Sequence, residues 1–222
     1  RQHPRDGERM KDLTIARTAG LSATALLLAA GLPACLPAQV ALHAAVGARF
    51  SSALVHDSIV APVDAKPAIG PSLALAISQR TNGPWIPDAN LDVSWASLQR
   101  QESGTTTKFN SITGIAFTVG VSREVRHGLF ARAGFGGIKY LPSDETGMFR
   151  GGSGLWANGT ASLYWIPATL GGPAHDIGVL LRYDVHKFST PALHAEGFTS
   201  SQWVHRISLG IGARILGKAG PP

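Results

Sequence analysis

The sequence is poor in charge. Charged residues make up 15% of its 222 positions, against roughly 25% in ordinary soluble domains. The balance is basic, at +6, but the chain has no run of lysine or arginine. Its arginines fall singly, so the clustered footprint of a nucleic-acid binder is missing and nucleic acid is excluded as a partner. Cysteine is nearly absent, and Cys35 alone excludes an intramolecular disulfide. No apolar run is long enough for a comfortable transmembrane helix. No helical periodicity competes after residue 41, and neither a domain linker nor an internal repeat is visible. The glycine-rich Gly151-Gly152-Ser153-Gly154 follows no strand-to-helix signal, so it reads as a loop and not a phosphate cradle.

What is present begins with a leader. Residues 1–9 read as a polar, non-structural extension. Met10 opens a segment with Lys11 and Arg17 as a positive region, an apolar stretch over 19–32, and then small residues and prolines in P-A-C-L-P-A-Q. That is the layout of a secretory signal peptide, here residues 10–38 with cleavage after Ala38. An uncleaved anchor is one alternative. A lipoprotein is another, because Leu32-Pro33-Ala34-Cys35 resembles a lipobox.

The rest is alternation. In 203–216, Ile207, Leu209, Ile211, Ala213 and Ile215 share one face of a strand, and Arg206, Ser208, Gly210, Gly212 and Arg214 share the other. An aliphatic face opposite glycine and arginine suits lipid on one side and a crowded, hydrated lumen on the other. Seven earlier runs repeat the pattern, at 42–55, 68–80, 89–101, 108–122, 129–140, 155–166 and 175–188. Several reach the nine to eleven residues that a tilted strand needs to cross a bilayer. The phase of 129–140 slips at Gly136-Gly137, which predicts a bulge there. The first, third, fifth and seventh connections are mostly longer than the second, fourth and sixth. Long external loops and short periplasmic turns are the habit of outer-membrane barrels. An N-terminus left in the periplasm by cleavage puts the long set outside.

Together, the leader, the eight alternating runs and the ending S-L-G-I-G-A-R-I resemble small eight-stranded bacterial outer-membrane proteins of the OmpA/OmpX-like barrel type. The resemblance covers about residues 40–216. Where that family usually ends on an aromatic residue, this chain carries Ile215, Leu216 and a Gly-Pro tail at 217–222. The fold expected is all-β, a closed antiparallel eight-stranded transmembrane β-barrel over 39–216, preceded by a signal peptide. The resemblance implies residence in the bacterial outer membrane as a monomer. Its expected partners are outer-membrane lipid and lipopolysaccharide, with assembly by the barrel-assembly machinery.

The inward polar set expected from the alternation is Arg49, Asp92, Arg132, Arg182, Asp184, His186, Arg206 and Arg214. Charge facing lipid is expensive, and an eight-stranded lumen is filled by side chains. These residues therefore read as an ion-pair network plugging the barrel; a narrow anion path lined by arginine is the sharper alternative. Tyr140, Trp165 and Trp203 sit near expected strand ends and suit interfacial girdles. Eight histidines show no metal-ligand spacing, so no metal or cofactor is expected. His194, Glu196 and Ser200 or Ser201 share one loop, which keeps open a rim enzyme acting on lipid A. A soluble lipocalin-like binder is a third possibility. The primary expectation is a non-enzymatic barrel with a structural, surface-interaction or adhesion role through its loops.

Overall fold

The computed structural model describes residues 40–57, 63–102, 104–167, 177–197 and 202–216. The expected leader, its cleavage point and Cys35 lie outside them, as do the C-terminal tail, Ser200 and Ser201. Ten strands form, β1 (Val40–Ser51), β2 (Val55–Asp57), β3 (Val63–Pro67), β4 (Gly70–Gln79), β5 (Trp85–Glu102), β6 (Thr105–Arg126), β7 (Leu129–Pro142), β8 (Leu155–Trp165), β9 (Ile177–Phe188) and β10 (Gln202–Leu216). Eight of them, all but β2 and β3, pair antiparallel with their neighbours around a ring. The ring closes where β1 meets β10, with Val46 opposite Ile211 and Arg49 opposite Ser208. Closure leaves no edge within the wall, which is what a spanning sheet requires in lipid.

The alternation places the side chains. Val46, Phe135, Leu155, Ile211 and Leu209 all face outward and are more than half exposed. Their inward neighbours on the same strands are small, polar or charged, and Ser72, Asn90, Thr118, Thr160 and Ser208 are buried. This is the reverse of a lipocalin-like barrel, so the soluble-binder reading is overturned: the apolar face points away from the interior. No helix among the described residues is long and apolar enough to cross a membrane, and the strands do the crossing.

Two ends can be told apart. Residue 40, residue 216 and the turns at 80–84 and 127–128 share the turn end. The loop end carries the connection after β1, the tip of the β5–β6 hairpin, and residues 143–154 and 189–197. The structure departs from the sequence expectation at this loop end. The third connection, expected as a polar loop around 102–107, is a tight hairpin instead. β5 and β6 run on past the wall, with Gln99 opposite Lys108 and Glu102 opposite Thr105, and Gly104 turns at a positive φ of 82°. Threonine-rich sequence keeps the extended backbone, although neither face is apolar enough to signal a strand. The first connection holds a second hairpin, β2–β3, and β3 pairs with the far end of β5. A four-stranded extension in the order β2-β3-β5-β6 therefore stands beyond the ring.

The expected bulge at Gly136-Gly137 is not there. Register runs unbroken through Thr118–Gly136 and Phe117–Gly137, and the irregularities fall at Leu98/Gln99 in the β5–β6 pairing and at Glu124/Arg126 in the β6–β7 pairing. The slip in hydropathy has another cause. Ile138 and Tyr140 continue the inward phase, and the interior at that height is apolar. Leu54, Leu98, Ile112, Ile138, Tyr140, Phe149, Phe188, Leu193 and Val204 form one buried cluster inside the loop end.

Candidate functional site

The polar interior begins below that cluster. β1 brings in Arg49, β5 brings Asn90, Asp92 and Ser94, β9 brings Arg182 and Asp184, and β10 brings Arg206 and Ser208. Each sits on the inward phase of its strand. Arg49 donates Nη1 to Asp92 Oδ1 at 2.5 Å and Nη2 to Oδ2 at 2.7 Å, a two-pronged pair. Its Nε donates to Ser208 Oγ at 2.7 Å. Arg182 donates Nε to Asp184 Oδ1 at 2.9 Å and Nη1 to Asn90 Oδ1. The pairs interlock, because Arg49 Nη2 lies 3.6 Å from Asp184 Oδ2 and Arg182 Nη1 lies 3.7 Å from Asp92 Oδ2. Arg206 is held more loosely. Its Nη2 donates to Ser94 Oγ at 2.8 Å and lies 3.8 Å from Asp92 Oδ1. All five charged side chains are essentially buried. Two-pronged guanidinium–carboxylate geometry is the arrangement best able to offset the desolvation of buried charge.

Arg132 belongs to a second, separate pair. Its Nε donates to Asp88 Oδ1 at 2.6 Å and its Nη2 to Thr118 Oγ1 at 3.2 Å. Arg214 stands opposite His43 at the turn end, eight positions along β10 from Arg206, or roughly 26 Å at the rise of a strand. The sequence reading missed Asp88, which lies just before the expected start of its strand. Its phase was available, since Asp88, Asn90 and Asp92 alternate, but Pro87 disguised the strand beginning at Trp85. Asn90, Ser94, Ser208 and Asn158 were missed because neutral polar residues on an inward phase look like any lumen lining.

Of the three expected girdle aromatics, Tyr140 must be corrected. It is 3% exposed and points inward. Its hydroxyl lies 3.0 Å from His186 Nε2, its ring meets Phe188 edge-on, and Arg206 lies 5.8 Å from its centroid. Position near a strand end suggested the girdle, but inward phase decides where a side chain goes. Trp203 faces outward at the loop end with Lys187 over its ring at 5.1 Å. Trp165 faces outward at the turn end. Trp85, which the sequence reading did not select, does so too, under Arg123 at 5.5 Å.

The cap above the charges is tied to its loops. Phe149 comes from a 3-10 turn, Gly147–Phe149, and Leu193 from the short helix α1 (Pro191–Ala195); both enter the mouth. Thr190 caps that helix by accepting from Leu193 N, and donates to Met148 O, joining the two loops. Ser153 and Tyr140 bond to each other, Ser153 Oγ donating to Tyr140 O and accepting from Tyr140 N. Around the expected rim triad, His194 Nε2 meets Ser189 Oγ at 2.9 Å. Ser189 is 2% exposed, so the hydroxyl beside that imidazole is hidden from solvent. Among the described residues, no group of three or more His, Cys, Asp or Glu gathers as metal ligands.

A closed eight-stranded ring, aliphatic outside and ion-paired inside, defines a small transmembrane β-barrel. No family model and no curated protein matches the chain. Among solved structures it is similar to the outer membrane protein Ail of Yersinia pestis in a phospholipid bilayer nanodisc, at 12% identity over 79% of this chain and 99% of that one, with a TM-score of 0.47. It is similar to the outer membrane protein OprG of Pseudomonas aeruginosa, at 10% identity over 81% and 96%, TM-score 0.44. A de novo designed transmembrane β-barrel aligns at 12% identity over 82% and 98%, TM-score 0.37. The class follows from the ring and its two faces and does not depend on these modest likenesses.

Proposed function

We propose that this protein is a sealed, non-enzymatic barrel that works at the cell surface through the extension at its loop end. One observation carries the reading: β2, β3 and the far ends of β5 and β6 build a four-stranded sheet past the apolar wall. A chain that needed only to seal the membrane has no use for strands of 18 and 22 residues, about twice what a bilayer requires. The loop end faces the outside if the N-terminus is left in the periplasm. The extension is nearly balanced in charge, with Arg100 on Glu102 at 2.8 Å and His56 on Asp64 at 2.5 Å. It offers a hydrogen-bonding surface to a partner, and no strong electrostatic lure. The interlocked arginines and the apolar cap support a plug and do not favour an ion path. Lipid and lipopolysaccharide surround the wall, and the assembly machinery inserts it.

The test has two arms. In planar bilayers the folded chain should give no stable conductance; steady open events would overturn the sealed lumen. On whole cells, residues 100–107 should be replaced by a two-residue Asn-Gly turn. The trimmed barrel should still migrate as a compact band without boiling, while attachment to surfaces falls to the level of cells lacking the protein. Undiminished attachment would overturn the role of the extension.

The contact between Ser189 and His194 favours a second reading, a rim enzyme acting on lipid A. Mass spectra of lipid A from cells with the protein would then shift, and His194→Ala would abolish the shift. Burial of Ser189 weighs against it, because a nucleophile must reach its substrate.

A further inference from the structure

The charge at the centre of the lumen does not balance. Arg49, Arg182 and Arg206 stand against Asp92 and Asp184 at this depth, and Arg132 is already matched to Asp88. Asp92 is committed to both prongs of Arg49, and Asp184 to Arg182. Arg206 is the surplus guanidinium. It is 1% exposed, its nearest carboxylate oxygen is 3.8 Å away, and its Nη1 has no hydrogen-bond partner in the protein. Buried guanidinium groups ordinarily find acceptors for their donors.

Beside it lies a cavity of about 20 Å³, lined by Arg206, Arg49, Ser94 and Tyr140 and by the bend between β3 and β4 at Ala68 and Gly70. One water needs roughly 10–15 Å³ of such space, so the cavity has room for one small particle. Gly114 keeps it open. A Cβ there would stand 3.0 Å from Ser94 Oγ and 3.3 Å from both Arg206 Nη2 and Tyr140 Cε1. Arg206 and Arg49 border it, and most of the wall is apolar, with Ile112 and Ala96 among the lining. A mostly apolar wall beside surplus positive charge suits a weakly hydrated halide better than a cation or a second carboxylate.

We propose that the barrel binds one monatomic anion, of the chloride class, in this cavity between Arg206 and Arg49. The ion completes the charge balance of the plug and is part of the folded structure, not a permeating species.

Thermal unfolding of the detergent-folded chain, read by loss of the compact unboiled band, tests this. The midpoint is measured in sodium chloride and sodium bromide against sodium gluconate at equal ionic strength, so that screening is the same. Binding to the folded state alone raises the midpoint with halide concentration by mass action. The expected result is a saturable rise in chloride and bromide, none in gluconate, and loss of the halide response in Gly114→Ala, which fills the cavity and keeps every charge, and in Arg206→Met. Crystals of the unaltered chain grown in bromide should show an anomalous peak in the cavity between Arg206 and Arg49, and this arm needs no variant to fold. Equal midpoints in chloride and gluconate with no bromide peak would mean that water alone fills the cavity, and would overturn the proposal. A halide response unchanged in both variants would place the ion elsewhere and overturn it equally.

Discussion

The interior of this barrel has two halves, built on the same inward phase by opposite means. The central half spends its inward positions on guanidinium and carboxylate groups, and the loop-end half spends them on Leu98, Ile112, Ile138, Phe188 and Val204. The central half is held by direction, since each pair must keep its geometry to offset desolvation. The loop-end half is held by contact area, which tolerates small displacements better. One half therefore resists any single change sharply. The other absorbs changes locally and lets its loops loosen first.

The largest expected effect breaks the charged half. Asp184→Ala would strand Arg182 and remove a contact from Arg49, leaving buried positive charge with too little compensation. Breaking one partner of such a pair costs roughly 3–5 kcal/mol. Urea unfolding in lipid vesicles should show that loss or no folded barrel at all. The double variant Arg182→Met with Asp184→Leu sharpens the comparison. Removing both partners should recover most of the loss, and recovery of none would mean that the two halves do not differ as argued.

Next comes the apolar cap. Phe149 is 1% exposed and meets Phe188 edge-on at 6.0 Å. Phe149→Ala in a close-packed core would cost roughly 3–5 kcal/mol, and the low end applies because its loop can shift. The readout should be local. Limited proteolysis should cut within 143–154 while the compact unboiled band persists, whereas a global loss of the band would erase the distinction between the halves.

A smaller effect tests how the wall carries both halves. At Gly136 an added Cβ would run into the carbonyl oxygen of Phe117 on β6. Gly136→Ala should cost about 1–3 kcal/mol by overpacking, again by urea unfolding in vesicles. No loss would show that β6 and β7 can part there without penalty.

The same division explains what the sequence disclosed. Wherever the outside is aliphatic and the inside polar, alternation is visible, and so all eight wall strands and the inward phases of Arg49, Asp92, Arg182, Asp184 and Arg206 could be read directly. In the loop-end half both faces of a strand are apolar or both polar, and the contrast vanishes. Ile138 and Tyr140 then mimic a phase slip, and 102–107 mimics a loop although the backbone ladder continues. Depth is legible only by counting residues from the strand ends, so the alternation groups Arg132 and Arg214 with a network that lies at another height. Pairing was not legible at all. Which carboxylate meets which guanidinium depends on register around the ring, and no single strand contains it.

The smallest expected effect falls where the two halves meet. Tyr140 joins them, packing its ring on Phe188 and lying under Arg206 while its hydroxyl meets His186 Nε2 at 3.0 Å. Tyr140→Phe keeps the ring and removes only that hydroxyl, so the packing term is unchanged. The loss should be about 1 kcal/mol, the low end for leaving one buried polar atom without its partner. Trp203→Phe is the matched control on the outer wall, where the indole faces outward beside Lys187, and it should fall within roughly 0.5 kcal/mol of the unaltered chain. Had Tyr140 stood in the interfacial girdle, the two substitutions would be equally mild. A measurable loss for Tyr140→Phe alone, by urea unfolding in vesicles, places the ring inside; equal midpoints for the two variants would return it to the membrane surface and remove the bridge between the charged and apolar halves.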